Sequence, residues 1–340
     1  MDSQYARPPL NPDVYQTPDA DLKSPWDAAS ARSKTFVITG GLSGIGAGIA
    51  TQLAALGGTV VIGDLQDGTA LVKELRHSSG NENIHAVKCD VTSYKSQCDL
   101  FRTALELSPK KAIDGVIANA GITETGQNFL PQPFTPGQAE DPPPPNLATI
   151  DVNLTGVIYT AYLALQYFRN HPHLPIQSFP SATHDRSLVL VGSIASLYPL
   201  THAPMYNASK HAVLGLFRAL RQTALPDHVR INLLCPYWIE TPIVPVGAKI
   251  LLAGSDFARM EDVVAIGTRC LADCSVAGHI FLVLPPSAGG VVQVLSDEPR
   301  ELDIFNRNAV RTLNRVANAN GWLVWGRNLI YALIGWYRPS

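Results

Sequence analysis

The sequence predicts an α/β fold: a doubly wound, seven-stranded parallel sheet in a single domain. Three observations carry this reading. Short runs of apolar, β-branched residues recur along the chain, each suited to a strand buried on both faces. Helical stretches alternate with these runs over short loops, as parallel strands require. The first strand-to-helix turn, Thr39-Gly40-Gly41-Leu42-Ser43-Gly44-Ile45-Gly46, is rich in glycine.

The elements follow in order. Thr35–Ile38 is the first strand, and a helix spans about Ile45 to Leu56 before Gly57-Gly58 ends it. Thr59–Ile62 is the second strand and runs into Gly63-Asp64. A polar helix over 68–78, a strand at Ile84–Lys88, a helix over 93–107 and a strand at Gly115–Ala118 continue the alternation. Residues 129–148 interrupt it with seven prolines, Pro142 to Pro145 among them, which no helix or inner strand absorbs. They read as a surface insertion. A helix then spans Leu147 to Arg169, and a second proline-dotted loop covers 170–186. Strand Leu188–Val191, helix Met205–Ala224, strand Arg230–Leu234, helix 261–273 and strand His279–Leu284 complete the seven-strand set. The domain therefore covers 34–290, between a flexible polar arm at 1–33 and a basic, apolar helical tail at 291–340.

Composition excludes several classes. The chain has 340 residues, with 26 basic against 28 acidic side chains and a net charge of −2. That balance argues against a nucleic-acid binder working through a broad basic field. An apolar share of 46% is too high for a disordered chain. The five cysteines, Cys89, Cys98, Cys235, Cys270 and Cys274, are odd in number and contain no CxxC, which speaks against a disulfide framework and against a four-cysteine zinc site. No metal site is expected. The polar N-terminus shows no secretory pattern, so the expected compartment is cytoplasmic.

The glycine turn lies where a phosphate-binding loop would. Gly40, Gly44 and Gly46 allow a tight turn and close backbone approach, and the helix N-terminus opened by Ser43, Gly44 and Ile45 offers N–H groups and partial positive charge to a pyrophosphate. Asp64 stands 18 residues beyond Gly46, where an acid can accept hydrogen bonds from ribose hydroxyls and repel a 2′-phosphate. No Arg or Lys lies in the loop or just after Asp64 to offset that repulsion. NAD is the expected cofactor, with NADP left open. Tyr206 and Lys210 are four apart on a helix and share a face. An ammonium nearby would stabilise tyrosinate and lower the phenol's pKa from about 10 toward a useful range. Ser193 follows a buried strand at the sheet's carboxyl edge, placed to orient a substrate oxygen.

Taken together over residues 35–285, these motifs resemble the single-domain short-chain dehydrogenase/reductase family, whose sheet is of the Rossmann type. The resemblance implies cofactor contacts from Gly40, Ser43, Gly44, Ile45, Gly46 and Asp64, with Asp90 and Val91 beside the adenine. Asn119, Ala120 and Gly121 match the family's NAG motif, and Ile239 and Thr241 match the segment that holds the nicotinamide amide. Ser193, Tyr206, Lys210 and Asn153 match the catalytic serine, the YxxxK pair and the asparagine of a proton relay. The form of Asp64 and of the last strand is most similar to the 15-hydroxyprostaglandin dehydrogenase-like branch. The implied reaction is hydride transfer between nicotinamide and a secondary alcohol or ketone, with NAD-dependent oxidation as the expected direction. Two alternatives stay open: an NADPH-dependent ketoreductase of fungal secondary metabolism, and a non-catalytic nucleotide-binding regulator on the same fold.

Several features depart from the family pattern. Tyr237 follows Pro236 where glycine is usual, and would reshape the pocket beside the nicotinamide. The apolar stretch Pro242–Leu252 suits a lipophilic substrate, or equally a partner subunit. The family pairs subunits through the helices 93–107 and 147–169, so a homo-oligomer, dimer or tetramer, is expected, with Tyr159, Leu163, Gln166 and Tyr167 on the shared face. In the tail, Trp322, Trp325, Leu329, Leu333 and Trp336 form one helical stripe among arginines. That composition fits docking on the protein itself or on a second subunit, or else a peripheral membrane contact.

Overall fold

The computed structural model describes residues 20–124, 143–169, 185–200, 203–224, 227, 229–241 and 256–294. Its elements run β1 (Thr35–Thr39), α1 (Gly44–Ala55), β2 (Thr59–Asp64), α2 (Thr69–Ser79), β3 (Ile84–Lys88), α3 (Tyr94–Leu107), β4 (Gly115–Ala118), α4 (Ala148–Arg169) and β5 (Arg186–Val191). They continue through α5 (Pro204–Ala224), β6 (Val229–Pro236), α6 (Met260–Ala272), β7 (Ile280–Val283) and β8 (Val291–Val294). The inner strands are buried on both faces, which is why their sequences are unbroken apolar runs rather than alternating ones. Strand order is β3-β2-β1-β4-β5-β6-β7-β8. The order reverses between β1 and β4, and ligands bind at such a switch point, outside the carboxyl ends of the strands. Helices α2, α1 and α6 pack side by side on one face, and α3, α4 and α5 on the other.

Three expectations need correction. The sheet has eight strands, and its last pair is antiparallel, Ile280 facing Val294 and Val283 facing Val291. The reversal is made at Gly289 and Gly290, both at positive φ (109° and 65°), which a side chain would strain. The expected helical tail therefore begins as a strand at 291–294; its tryptophan stripe lies outside the described residues. The N-terminal arm is held from residue 20 onward. Arg269 donates to the carbonyls of Asp21 (2.8 Å) and Leu22 (2.9 Å), Ser30 Oγ donates to Ala272 O (2.8 Å), and Leu22 and Trp26 pack on the core. Finally, Leu163 does not sit on an outer face but is buried in the protein's own core. The exposed apolar side chains of this region are Tyr94, Ile158 and Tyr162, with the rings of Tyr94 and Tyr159 edge to face at 5.2 Å.

Helix α4 contains a π-helical stretch, Asp151–Thr155, around the expected site residue Asn153. Such wide turns are frequent at functional sites. Residues 129–142 of the proline insertion lie outside the described residues, and 143–147 are exposed. At the opposite, amino edge of the sheet lies a buried charge cluster. Arg230 pairs with both oxygens of Asp185 and donates to the carbonyls of Cys270 (2.8 Å), Val276 (2.5 Å) and Leu271 (3.2 Å). Lys34 adds a second cation to Asp185 at 3.0 Å.

Candidate active site

The glycine turn and the β4 loop are stitched into one wall. Asn119 donates through Nδ2 to the carbonyls of Thr39 (3.0 Å) and Gly40 (2.8 Å). In return Thr39 Oγ1 accepts the N–H groups of Asn119 (3.1 Å) and Ala120 (3.3 Å). This fit leaves no room for a side chain at Gly40 or Gly46. A Cβ on Gly40, whose φ is +64°, would fall 2.7 Å from Ala120 Cα, and one on Gly46 would fall 2.5 Å from both Asn119 Nδ2 and Gly40 O. Ser43 is the N-cap of α1 but its side chain makes no capping bond, so the first turn presents backbone amides toward the crevice.

The other expected cofactor residues gather at the same edge. Asp64 ends β2 and accepts from the N–H of Leu42 (3.1 Å) and of Gln66 (3.1 Å). It thus braces the glycine turn, a role its position in the sequence did not reveal, and each oxygen keeps acceptor capacity beyond these bonds. Asp90 accepts from the N–H (2.9 Å) and hydroxyl (2.7 Å) of Thr92, and Val91 is buried against Gly156. Ile239 and Thr241 are buried at the end of the β6 loop. Thr241 comes within 3.4 Å of where a Cβ on Gly44 would be, so the β6 loop meets the start of α1. Thr241 Oγ1 is buried and has no hydrogen-bond partner among the described residues. A buried hydroxyl without a partner is costly. Uncapped amides, a spare hydroxyl and a strand-end carboxylate in one crevice fit a dinucleotide. Tyr237 is buried with the core, its N–H on Val283 O at 2.8 Å. The stretch 242–252 lies outside the described residues.

Beside the crevice, four expected side chains converge. Ser193 follows β5; its Oγ accepts from Ala195 N–H (3.1 Å), while Ser196 Oγ accepts from Ser193 N–H (3.2 Å). This reciprocal capping box fixes the serine's backbone. Tyr206 is partly exposed, and the Ser193 side chain lies near enough to favour its phenolate. Lys210 is one turn deeper on α5, with Nζ 5.7 Å from the Tyr206 ring centre and donating to Val191 O at 3.0 Å. The Asn153 amide pairs twice with Ile122, accepting from its N–H (2.8 Å) and donating to its carbonyl (2.8 Å). Gly121 keeps this junction open: a Cβ there would lie 3.3 Å from Asn153 Oδ1 and 3.8 Å from Lys210 Nζ.

The electrostatics differ from the expectation in one respect. The Tyr206 phenol is not lowered but pushed up, because burial disfavours the phenolate more than the Ser193 side chain favours it. Burial likewise pulls the Lys210 ammonium down to about 8. Sequence reading also missed Ser196 and Cys235. The Ser-x-x-Ser spacing of the capping box was the available signal for the first. For Cys235, whose thiol burial pushes up to about 12, the sequence carried none.

Comparison with known proteins gives the family. The family model for short chain dehydrogenases matches residues 34–248. The chain is 35% identical to the 5'-hydroxyaverantin dehydrogenase of Dothistroma septosporum, over 78% of this chain and 88% of that protein. It is 32% identical to the 5'-hydroxyaverantin dehydrogenase of Emericella nidulans, over 80% and 90%. An NADP-dependent dehydrogenase of Cochliobolus lunatus is 33% identical over 72% of this chain and 86% of its own length. The fold is similar to that of a 3-ketoacyl-(acyl-carrier-protein) reductase from Brucella melitensis, with a TM-score of 0.60 at 23% identity, covering 74% of this chain and 97% of that one. The chain belongs to the short-chain dehydrogenase/reductase family and is a nicotinamide-dependent oxidoreductase acting on CH–OH groups.

Proposed function

We propose that the enzyme oxidises a secondary alcohol on a bulky, lipophilic small molecule of the secondary-metabolite class, with NAD preferred over NADP. The observation that carries the chemistry is the convergence of Ser193, Tyr206 and Lys210 beside the loop after β4, which packs on the glycine turn. When bound, the nicotinamide supplies the hydride acceptor. Ser193 Oγ holds the substrate oxygen, and Tyr206 acts as the phenolate, its oxygen taking the hydroxyl proton to become the neutral phenol. Lys210 places a positive charge beside the tyrosine that favours the phenolate, and its Nζ keeps donors beyond the one used on Val191. The Asn153 amide is engaged with Ile122 and Ser209, so it sets the floor of the relay rather than offering a free side chain. Residues 40–46, Asp64, Asp90, Val91, 119–121, Ile239 and Thr241 hold the cofactor. The substrate class draws support from the relatives whose names give 5'-hydroxyaverantin as substrate.

A second reading, reduction with NADPH, is favoured by the relative named NADP-dependent. Asp64 supports the first reading. A carboxylate about 4 Å from a phosphate charge costs roughly 4 kcal/mol at an effective dielectric of about 20, less with salt. Following the absorbance of reduced nicotinamide with both cofactors and a panel of lipophilic secondary alcohols tests this. NAD should be used at least about tenfold better, and Asp64→Asn should shrink that ratio by about tenfold, the equivalent of about 1.4 kcal/mol. Equal or better use of NADP by the unaltered enzyme would reverse the assignment. We also place the enzyme in the cytoplasm as a dimer or tetramer joined through α3 and α4, where Tyr94, Ile158 and Tyr162 are exposed. A monomer by light scattering at micromolar concentration would contradict that assembly. A peripheral membrane contact through the tail remains part of the same proposal, read out by liposome co-sedimentation of the full chain against one ending at 317.

A further inference from the structure

We propose that Glu124 is a positioning residue for Tyr206. Its carboxylate, delivered by the loop after β4, fixes the first turn of α5 and so sets where the phenol oxygen lies. The proposal rests on the reading of Tyr206 as the proton-transfer group.

The argument begins with the start of α5. A helix leaves its first N–H groups without intrahelical acceptors. Helices usually meet this need with Ser, Thr, Asp or Asn at the N-cap. Here the residue before the helix is Ala203, which has no side-chain acceptor, and Pro204 brings no N–H of its own. The N–H of Tyr206, third residue of the helix, is instead taken by Glu124 Oε2 at 2.7 Å, from a residue 82 positions away. The bond is short and charge-assisted, and it sets a carboxylate at the positive end of the helix dipole.

The attachment closes a circuit around the site. Asn153 grips both backbone groups of Ile122. Two residues later Glu124 grips the backbone of Tyr206. Ser209 Oγ donates to Tyr206 O at 2.7 Å and accepts from Asn153 Nδ2 at 3.4 Å, which returns to the start. On the other side, Asn207 ties the same turn to the loop after β5, accepting from Leu200 N–H (2.8 Å) and donating to Leu200 O (2.6 Å) and Ala203 O (2.6 Å). Asn207 does not reach the Tyr206 N–H; Glu124 does. Helix ends fray, and Tyr206 sits in the end turn whereas Lys210 sits one turn inside. A misplacement of about 1 Å at a reacting group can cost about 10²-fold in rate.

The experiment compares Glu124→Ala, Glu124→Gln and Tyr206→Phe in the full chain, measuring kcat, the KM for NAD and the melting temperature. Glu124→Ala should lower kcat about tenfold or more through the lost fixture. It should leave the KM for NAD within about twofold and, as a single lost cap in a large domain, the melting temperature within about 3 °C. Glu124→Gln keeps a carbonyl acceptor at the same reach and should restore kcat to within about threefold of the unaltered enzyme. Unaltered kcat in Glu124→Ala would overturn the proposal. So would a kcat loss matched by loss of NAD binding and of thermal stability, or a glutamine variant as slow as the alanine one. Turnover by Tyr206→Phe is a different failure: it would remove the reading of the tyrosine on which the proposal rests.

Discussion

Arg230 and Lys210 are both basic side chains buried at the ends of one sheet, and the fold treats them in opposite ways. At the amino edge, Arg230 spends its guanidinium on Asp185 and three carbonyls, with Lys34 completing the cluster. At the carboxyl edge, Lys210 donates to the Val191 carbonyl, and no ion pair among the described residues includes it. The same edge holds Thr241 Oγ1 and Trp238 Nε1, buried without partners among the described residues. A buried polar group that is fully matched specifies the fold. One left with spare capacity raises the energy of the empty protein and lowers it again when a ligand arrives. The amino edge also carries a buried atom without a partner among the described residues, Arg186 Nη2, so the contrast lies between the two cations: Arg230 is matched within the protein, whereas Lys210 keeps donors to spare beside the site.

The comparison can be broken first at the amino edge, where the effect is largest. Arg230→Leu leaves the Asp185 carboxylate buried with Lys34 alone, and should cost about 3–5 kcal/mol in equilibrium denaturation. Replacing Asp185 as well, with an apolar residue, should recover most of that loss, because a matched apolar pair avoids the stranded charge. A single variant within about 1 kcal/mol of the parent would show that the cluster does not lock the fold. Acid offers a gentler probe. Burial alone would raise the Asp185 carboxyl, but the Arg230 and Lys34 charges and hydrogen bonds outweigh it and hold the group below its ordinary value of 3.8. A depressed carboxylate contributes stability that is fully present above the unfolded value and is lost as pH falls through the folded one. Denaturation midpoints should therefore drop below about pH 4 in the parent and less steeply in the double variant. At the carboxyl edge the smallest change is the sharpest contrast. Thr241→Val should alter stability by less than about 1 kcal/mol, since the hydroxyl has no partner to lose, yet raise the KM for NAD. A clear loss of stability in that variant would mean the hydroxyl is structurally matched after all.

Sequence reading recovered most of this geometry where the determinants were local. Six of the seven expected strands were legible because each is buried on both faces and so appears as an apolar run, whereas the edge strand β3 mixes buried and exposed residues. Gly40, Gly46, Tyr206 and Lys210 were legible because tight turns and shared helix faces impose fixed spacings. What escaped depends on residues far apart in the chain. Glu124 meets Tyr206 across 82 residues, and Asp185 meets Arg230 across 45. β8 was read as the start of a helical tail because four residues after a glycine turn carry too little periodicity, and its pairing with β7 supplies the missing constraint. The hold on residues 20–31 comes from Arg269 and Ala272, which no local pattern connects to the arm. The direction of the Tyr206 shift was misread for a related reason: spacing shows the ammonium, but only the fold shows the desolvation that opposes both charges.

The central claim, that the carboxyl edge performs proton-coupled hydride exchange through Tyr206, is tested most directly by Tyr206→Phe. The measurement is kcat from reduced-nicotinamide absorbance alongside NAD binding by calorimetry. Loss of the phenol should lower kcat by at least about 10²-fold, the scale of general acid–base catalysis, with NAD still bound. Turnover within about tenfold of the parent would contradict the account.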